Sequence, residues 1–147
     1  MLKAPNILIS VEERHVQNLL NGSKTIELRR RAIRIPKGSR VWIYSKIPVG
    51  QVCALGIVDR VVEASPADIW AKYGEVSGIS AEEFDEYFSD IDTGCAIVFS
   101  RVQKMHNTLS LSLMRSTLQS FHPPQFFKYL SNDSAELAFF QQQMPVS

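Results

Sequence analysis

Apolar and polar positions along this chain fall into short runs whose period keeps changing, the mark of alternating strands and helices. Ile7-Leu8-Ile9 is a continuous apolar run of strand length. Ser10, with Glu13 three residues on, predicts a capping box opening a helix. The inner stripe of that helix is Val16, Leu19 and Leu20, and it stops at Asn21-Gly22, where glycine accepts a left-handed terminus. From Lys24 to Arg31 the period becomes two: Ile26 and Leu28 take one face, and Thr25, Glu27, Arg29 and Arg31 the other. Ile35-Pro36-Lys37-Gly38 predicts a turn. Val41 to Ser45 predicts a strand with Val41 and Ile43 opposite in face to Trp42 and Tyr44. After a turn at Pro48-Val49-Gly50, the β-branched run Gln51 to Val62 predicts a central strand.

The second half begins with a helix at Ser65-Pro66, Ser as N-cap and Pro at the first helical position, with Ile69, Trp70 and Tyr73 inward. Ser80 and Glu83 predict a second capping box, followed by Phe84, Tyr87 and Phe88. Cys95 to Val102 predicts a strand. Leu109, Leu111 and Leu113 alternate with polar residues and predict a further extended segment. Pro123-Pro124-Gln125 predicts a short helix reaching Leu130, and Asp133 with Glu136 a last capping box before Leu137, Phe139 and Phe140. The tail from Gln141 is expected to fray. The order β-α-β-β-β-α-α-β-β-α-α is α+β, and such short strands favour a small curved sheet or barrel over a doubly wound sheet.

The length of 147 residues predicts one domain, 1–147, with ordinary apolar (45%) and charged (21%) content. No apolar run approaches the ~20 residues needed to cross a bilayer. The start of the chain carries no signal-peptide core, so no membrane partner and a cytoplasmic location are expected. The glycosylation patterns at Asn21 and Asn132 are idle in that setting. Cys53 and Cys95 fall in predicted strands and read as buried inert thiols. His15, His106 and His122 are far apart in sequence and read as surface or packing residues. No metal site and no cofactor are expected. The net charge is +1, but its distribution is uneven. Lys24 to Lys46 holds eight basic residues and one acid, whereas Asp59 to Asp92 holds ten acids and two bases. One basic face able to meet an anion would follow, unless the two segments neutralise each other across the fold.

The candidate chemistry lies in Gly22-Ser23-Lys24-Thr25-Ile26-Glu27-Leu28-Arg29. Thr25 donates or accepts, Glu27 accepts, and Arg29 donates as a planar fork. Beside a helix terminus, such a group suits the edge of a nucleobase or a phosphate. The alternative is an exposed strand face with a Glu–Arg pair worth ~0–1 kcal/mol. Strict alternation sets Lys24 on the side of Ile26, so a shared cleft requires a bend or bulge at the strand start.

This run, after a short helix and before Lys37-Gly38-Ser39-Arg40-Val41-Trp42-Ile43-Tyr44, resembles the ASCH domain, a family similar in fold to the RNA-binding PUA domain. The resemblance covers residues 6–103 well and, through Pro123-Pro124-Gln125, the C-terminal third loosely. It implies a PUA-like mixed β-barrel with flanking helices, a core at about 6–103 and a helical extension at about 123–143. It also implies a cleft accepting RNA or a nucleotide-like ligand, lined by Lys24, Thr25, Glu27 and Arg29. From charge, Arg31, Arg34 and Arg40 would extend a phosphate-contacting rim. Trp42, Tyr44 or Tyr73 would stack on a base, or else pack in the core.

The function so implied is a nucleic-acid-binding or nucleotide-binding module, with regulation of transcription or translation as its expected role. Some compact bacterial relatives are similar to amidohydrolases of N-acylated cytidine. They use a Lys in this run, a Thr two residues beyond its Thr, and a distant Glu. Lys24 matches; Glu27 stands where the Thr is expected; Ser77 aligns with the distal Glu, with Glu75 two residues away. An enzyme of this type, acting on a modified nucleoside such as N4-acetylcytidine, would use Lys24, Glu27 and Glu75. A third possibility, from relatives in transcription coactivators, is a protein-interaction domain meeting its partner through the acidic helices.

Overall fold

The computed structural model describes residues 4–144. Met1 to Lys3 and the last three residues of the tail expected to fray lie outside the described residues. Six strands form one mixed sheet: β1 (Asn6–Val11), β2 (Ile26–Arg29), β3 (Arg40–Ser45), β4 (Gln51–Ala64), β5 (Gly94–Ser110) and β6 (Phe127–Leu130), in the order β2-β5-β4-β3-β1-β6. Only β1 and β3 run parallel; the remaining pairs are antiparallel. Register shifts in β3–β4 at Ile43/Tyr44, and at three places in β4–β5, bend the long central strands. Each extra residue increases local twist, so the sheet curls into a half-barrel with β2 and β6 as its two edges.

Five α-helices accompany the sheet among the described residues: α1 (Glu13–Asn21), α2 (Pro66–Tyr73), α3 (Ala81–Tyr87), α4 (Leu111–Thr117) and α5 (Ala135–Gln141). The concave core gathers Ile7, Ile9, Val41, Ile43, Val58, Ile97 and Phe99 under Val16 and Leu19 of α1. On the convex side, α2 and α3 cover Ile26, Leu28, Ala96 and Val98. At its other end, α4 and α5 cover Leu8, Trp42, Tyr44, Val52 and Leu55. Fully burying one such Leu or Ile side chain contributes about 1.5–3 kcal/mol. No helix among the described residues is long and apolar enough to cross a membrane.

Local signals were followed where nothing distant competed. Ser65 and Ser80 cap α2 and α3, accepting from the amides of Asp68 (3.1 Å) and Glu83 (3.2 Å). Gly22 ends α1 with φ of 85°, Val41 to Ser45 alternates as expected, and β4 is central. Four expectations fail, the first and third to a longer-range partner and the other two to a neighbouring serine cap. Ser10 belongs to β1 and its hydroxyl donates to the Pro124 carbonyl (2.7 Å), while Glu13 accepts from Ser45 and Gln17; Glu12 is the N-cap residue of α1 and its side chain makes no capping bond. The extended segment expected through Leu113 is absorbed into β5 as far as Ser110, where Ser110 caps α4 instead. The helix expected after Pro123-Pro124-Gln125 is strand β6, because the free edge of β1 takes it as a partner. The last helix is capped by Ser134, not Asp133, and Glu136 pairs with Lys128 at 3.0 Å.

Candidate nucleic-acid interface

Edge strand β2 hydrogen-bonds to β5 on one side and faces the ends of β1 and β6 on the other. Side chains span this seam. Arg29 Nη2 donates to the Ser10 carbonyl (2.9 Å) and to Glu27 Oε2 (2.9 Å), and its Nη1 donates to the Phe126 carbonyl (3.3 Å). Ser10 fastens Pro124 beside it. Above the seam opens a cleft of about 360 Å³, walled by α1, β2, the end of β1 and α3.

Lys24 sits at its floor. The turn after α1 releases this residue from strand alternation: its amide donates to the Asn18 carbonyl (3.0 Å), and the Thr25 amide to Val76 (3.0 Å), before the ladder begins at Ile26. The side chain is only 2% exposed; Nζ donates to the Ser77 carbonyl (2.6 Å) and stands 3.9 Å from Glu27 Oε1. Burial pushes the ammonium below the usual lysine range, and the Glu27 carboxylate pulls it partly back. Gly78, at φ of 76°, lies over the lysine stem, where a Cβ would stand 3.1 Å from Lys24 Cδ. That position therefore needs glycine for both conformation and space.

Two cleft residues had no sequence motif to reveal them. His15 projects from α1, half-buried, with a buried Nδ1 that has no hydrogen-bond partner. Burial, with the nearby Lys24 charge, holds its pKa below the ordinary histidine value, so the imidazole is neutral at pH 7. Tyr87 projects from α3, its hydroxyl donating to the Leu28 carbonyl (3.0 Å). The available signals were positional: His15 lies in the helix that ends at the lysine turn, and Tyr87 follows the second capping box. The cleft is electrically mixed, with Arg14, Lys24, Arg29 and Lys46 against Glu12, Glu27, Glu83 and Glu86. Arg14 pairs with Glu83 at 2.6 Å. Such a site offers donors and acceptors side by side, which fits the edge of a heterocycle better than a run of phosphates.

The structure thus brings Lys24, Glu27 and Arg29 together and disperses the other residues named from sequence. Thr25 is held by backbone bonds and does not line the cleft. Arg34 is paired with Glu63 (2.8 Å) at a separate surface depression, an instance of the basic and acidic segments neutralising each other. Arg40 is exposed at the start of β3. Arg31 is exposed and lies over the Phe126 ring. Tyr44 is buried against Phe121, and Trp42 is buried with its indole N–H on Asn6 (3.0 Å). The pleat of β3 turns both toward α4 and α5, away from the cleft. Tyr73 is buried with its hydroxyl accepting from Arg60 (2.8 Å). Glu75 is exposed on the turn after α2 and does not line the cleft. Both thiols are buried, that of Cys53 pushed up to about 12 by burial. Among the described residues no group of three or more His, Cys, Asp or Glu side chains could hold a metal ion.

No family model matches the chain. It is 24% identical over 129 residues to an ASCH domain-containing ribonuclease of Zymomonas mobilis, covering 88% of this chain and 86% of that protein. The crystal structure of ASCH from Zymomonas mobilis superposes with a TM-score of 0.84 at 23% identity, over 92% of this chain and 94% of that one. Human THYN1, solved in complex with DNA containing 5-methylcytosine, superposes with a TM-score of 0.58 at 10% identity, over 97% of this chain and all of that one.

Proposed function

On this ASCH-type, PUA-like fold, we propose that the seam cleft binds nucleic acid by receiving one nucleotide, its base edge read by Lys24, Glu27 and the neutral His15. The observation that carries this reading is the convergence of a buried lysine, a buried carboxylate and an unpartnered imidazole in one cleft. The Zymomonas mobilis relative described as a ribonuclease, and the DNA-bound human neighbour, support nucleic acid as the ligand class. Arg29 acts here as a positioning residue, because its Nη1 and Nη2 are taken by Ser10, Glu27 and Phe126, while its Nε is buried without a partner. Role in transcriptional or translational regulation would need no more than such binding. The test is titration of the four ribonucleoside 5′-monophosphates and of short single-stranded RNA. Lys24→Met and Glu27→Gln are each expected to weaken binding at least tenfold; wild-type affinity in both variants overturns the reading.

A hydrolytic reading rests on the Lys24 amine, whose pKa is lowered by burial and which is therefore closer to a usable base or nucleophile. In the amidohydrolase version the distal carboxylate Glu75 does not line the cleft that holds Lys24. Incubation with N4-acetylcytidine and, separately, with RNA distinguishes the two reactions; turnover equal to that of a Lys24→Ala control removes catalysis.

A further inference from the structure

The aromatic residues weighed as base stackers or core residues are buried, yet an exposed aromatic residue adjoins the cleft, its carbonyl accepting from Arg29, which lines it. Phe126 is 47% exposed, and the guanidinium of Arg31 lies 4.4 Å above its ring. Its backbone is held by the same groups that close the seam: Arg29 donates to the Phe126 carbonyl, and Ser10 to that of Pro124. The ring therefore sits at a set position beside the residues that line the cleft. Arg31 makes no ion pair among the described residues, unlike Arg29 and Arg34 in the same basic segment. A few residues on, Tyr129 is 58% exposed on β6, the edge strand, which pairs only with β1.

We propose that the Phe126–Arg31 pair is a second subsite, which takes the nucleotide adjoining the one in the cleft. The ring face opposite Arg31 stacks its base, and Arg31 meets its phosphate. The cleft itself is too evenly charged to hold a phosphate backbone, so the backbone runs outside it, past the cation left unpaired. An aromatic surface beside a free arginine is what a single strand with unstacked bases requires, and a duplex offers no such bases. The ligand is thus a single-stranded nucleic acid of at least two nucleotides, a conclusion that rests on the cleft reading above.

The test compares the four ribonucleoside 5′-monophosphates with the four homopolymeric hexaribonucleotides. The hexamer of the preferred base should bind more tightly than its monophosphate. Phe126→Ala should weaken the hexamer by roughly 5- to 150-fold, the range of a lost base–aromatic stack, and leave the monophosphate unchanged. Phe126→Trp should retain hexamer binding. Because the Phe126 side chain is half-exposed, the variant keeps its fold, as a matching melting temperature will show. Hexamer affinity unaffected by Phe126→Ala overturns the subsite, and so does an equally tight duplex. The cleft reading fails separately: Lys24→Met and Glu27→Gln would then leave monophosphate binding intact. Hexamer binding sensitive to Phe126 but not to Lys24 or Glu27 would overturn the two-subsite path together with the cleft.

Discussion

The middle of the sheet and its seam are closed by different means. Between β5, β4, β3 and β1 the chain is joined by continuous backbone ladders, and the side chains are free to be apolar: Ile7, Ile43, Ala54 and Ile97 are all fully buried. Between β2 and the ends of β1 and β6 the closure is made by the Arg29 side chain, which satisfies the Ser10 and Phe126 carbonyls and is backed by Glu27. Glu27 is 6% exposed, Lys24 2%, and Arg29 is half-buried across the gap. A ladder leaves no room for a ligand, whereas side chains spanning a gap leave a cleft with charged walls. On the proposed reading of the cleft, binding chemistry and structural weakness share one place.

The largest expected effect comes from cutting the seam. Arg29→Ala strands the Ser10 and Phe126 carbonyls and leaves Glu27 with a lysine 3.9 Å away as its remaining partner. Breaking a buried pair in this way costs about 3–5 kcal/mol, read as a lowered denaturant midpoint. Ile43→Ala in the ladder region should cost a similar ~2–5 kcal/mol without changing ligand affinity in the folded protein. A folded Arg29→Ala protein with wild-type stability would contradict the account of the seam.

A smaller effect separates conformation from contact. Gly22 and Gly78 both hold positive φ, but only Gly78 lies against Lys24. Alanine at either should cost about 1–2 kcal/mol. Gly78→Ala should also weaken nucleotide binding by displacing the lysine stem, and Gly22→Ala should not. Equal binding losses in the two variants would remove the role given to Gly78.

The smallest effect is on pH dependence. The folded protein lowers the His15 pKa, so below the ordinary value near 6.5 the unfolded chain takes up a proton that the native state resists. Stability therefore falls as pH drops through that value and is regained as pH rises. His15→Gln should flatten this limb in melting curves recorded between pH 5 and 8. An unchanged profile would mean that another group governs it.

Which parts of this were legible in the sequence follows from range. Ser65, Ser80 and Gly22 act within four residues of their own helices, and each behaves as its pattern predicts. Ser10 and Pro124 carry equally clear local signals that the fold overrides, because each is claimed by a partner 114 residues away. At the cleft, the Lys-Thr-x-Glu-x-Arg run located the polar edge of β2, but not what each group does there. Arg29 reads from sequence as a ligand donor, yet its Nη1 and Nη2 are taken by carbonyls from the approach to β6 and from β1, and its Nε is buried without a partner. Tyr44 and Trp42 read from sequence either as base stackers or as core residues, and the C-terminal helices that cover their face make them core residues. Tyr87 reaches the cleft, and Phe126 reaches Arg29 at its side, only because β2 packs beside both α3 and the approach to β6, and a linear pattern does not encode that adjacency.

The most direct measurement is amide chemical-shift mapping of the isotopically labelled protein, titrated with the four ribonucleoside 5′-monophosphates. The account predicts saturable shifts centred on His15, Lys24 to Arg29 and Tyr87, with the buried Tyr44 region and the Arg34–Glu63 surface unmoved. Shifts centred on either of those two regions, with the seam silent, would contradict it.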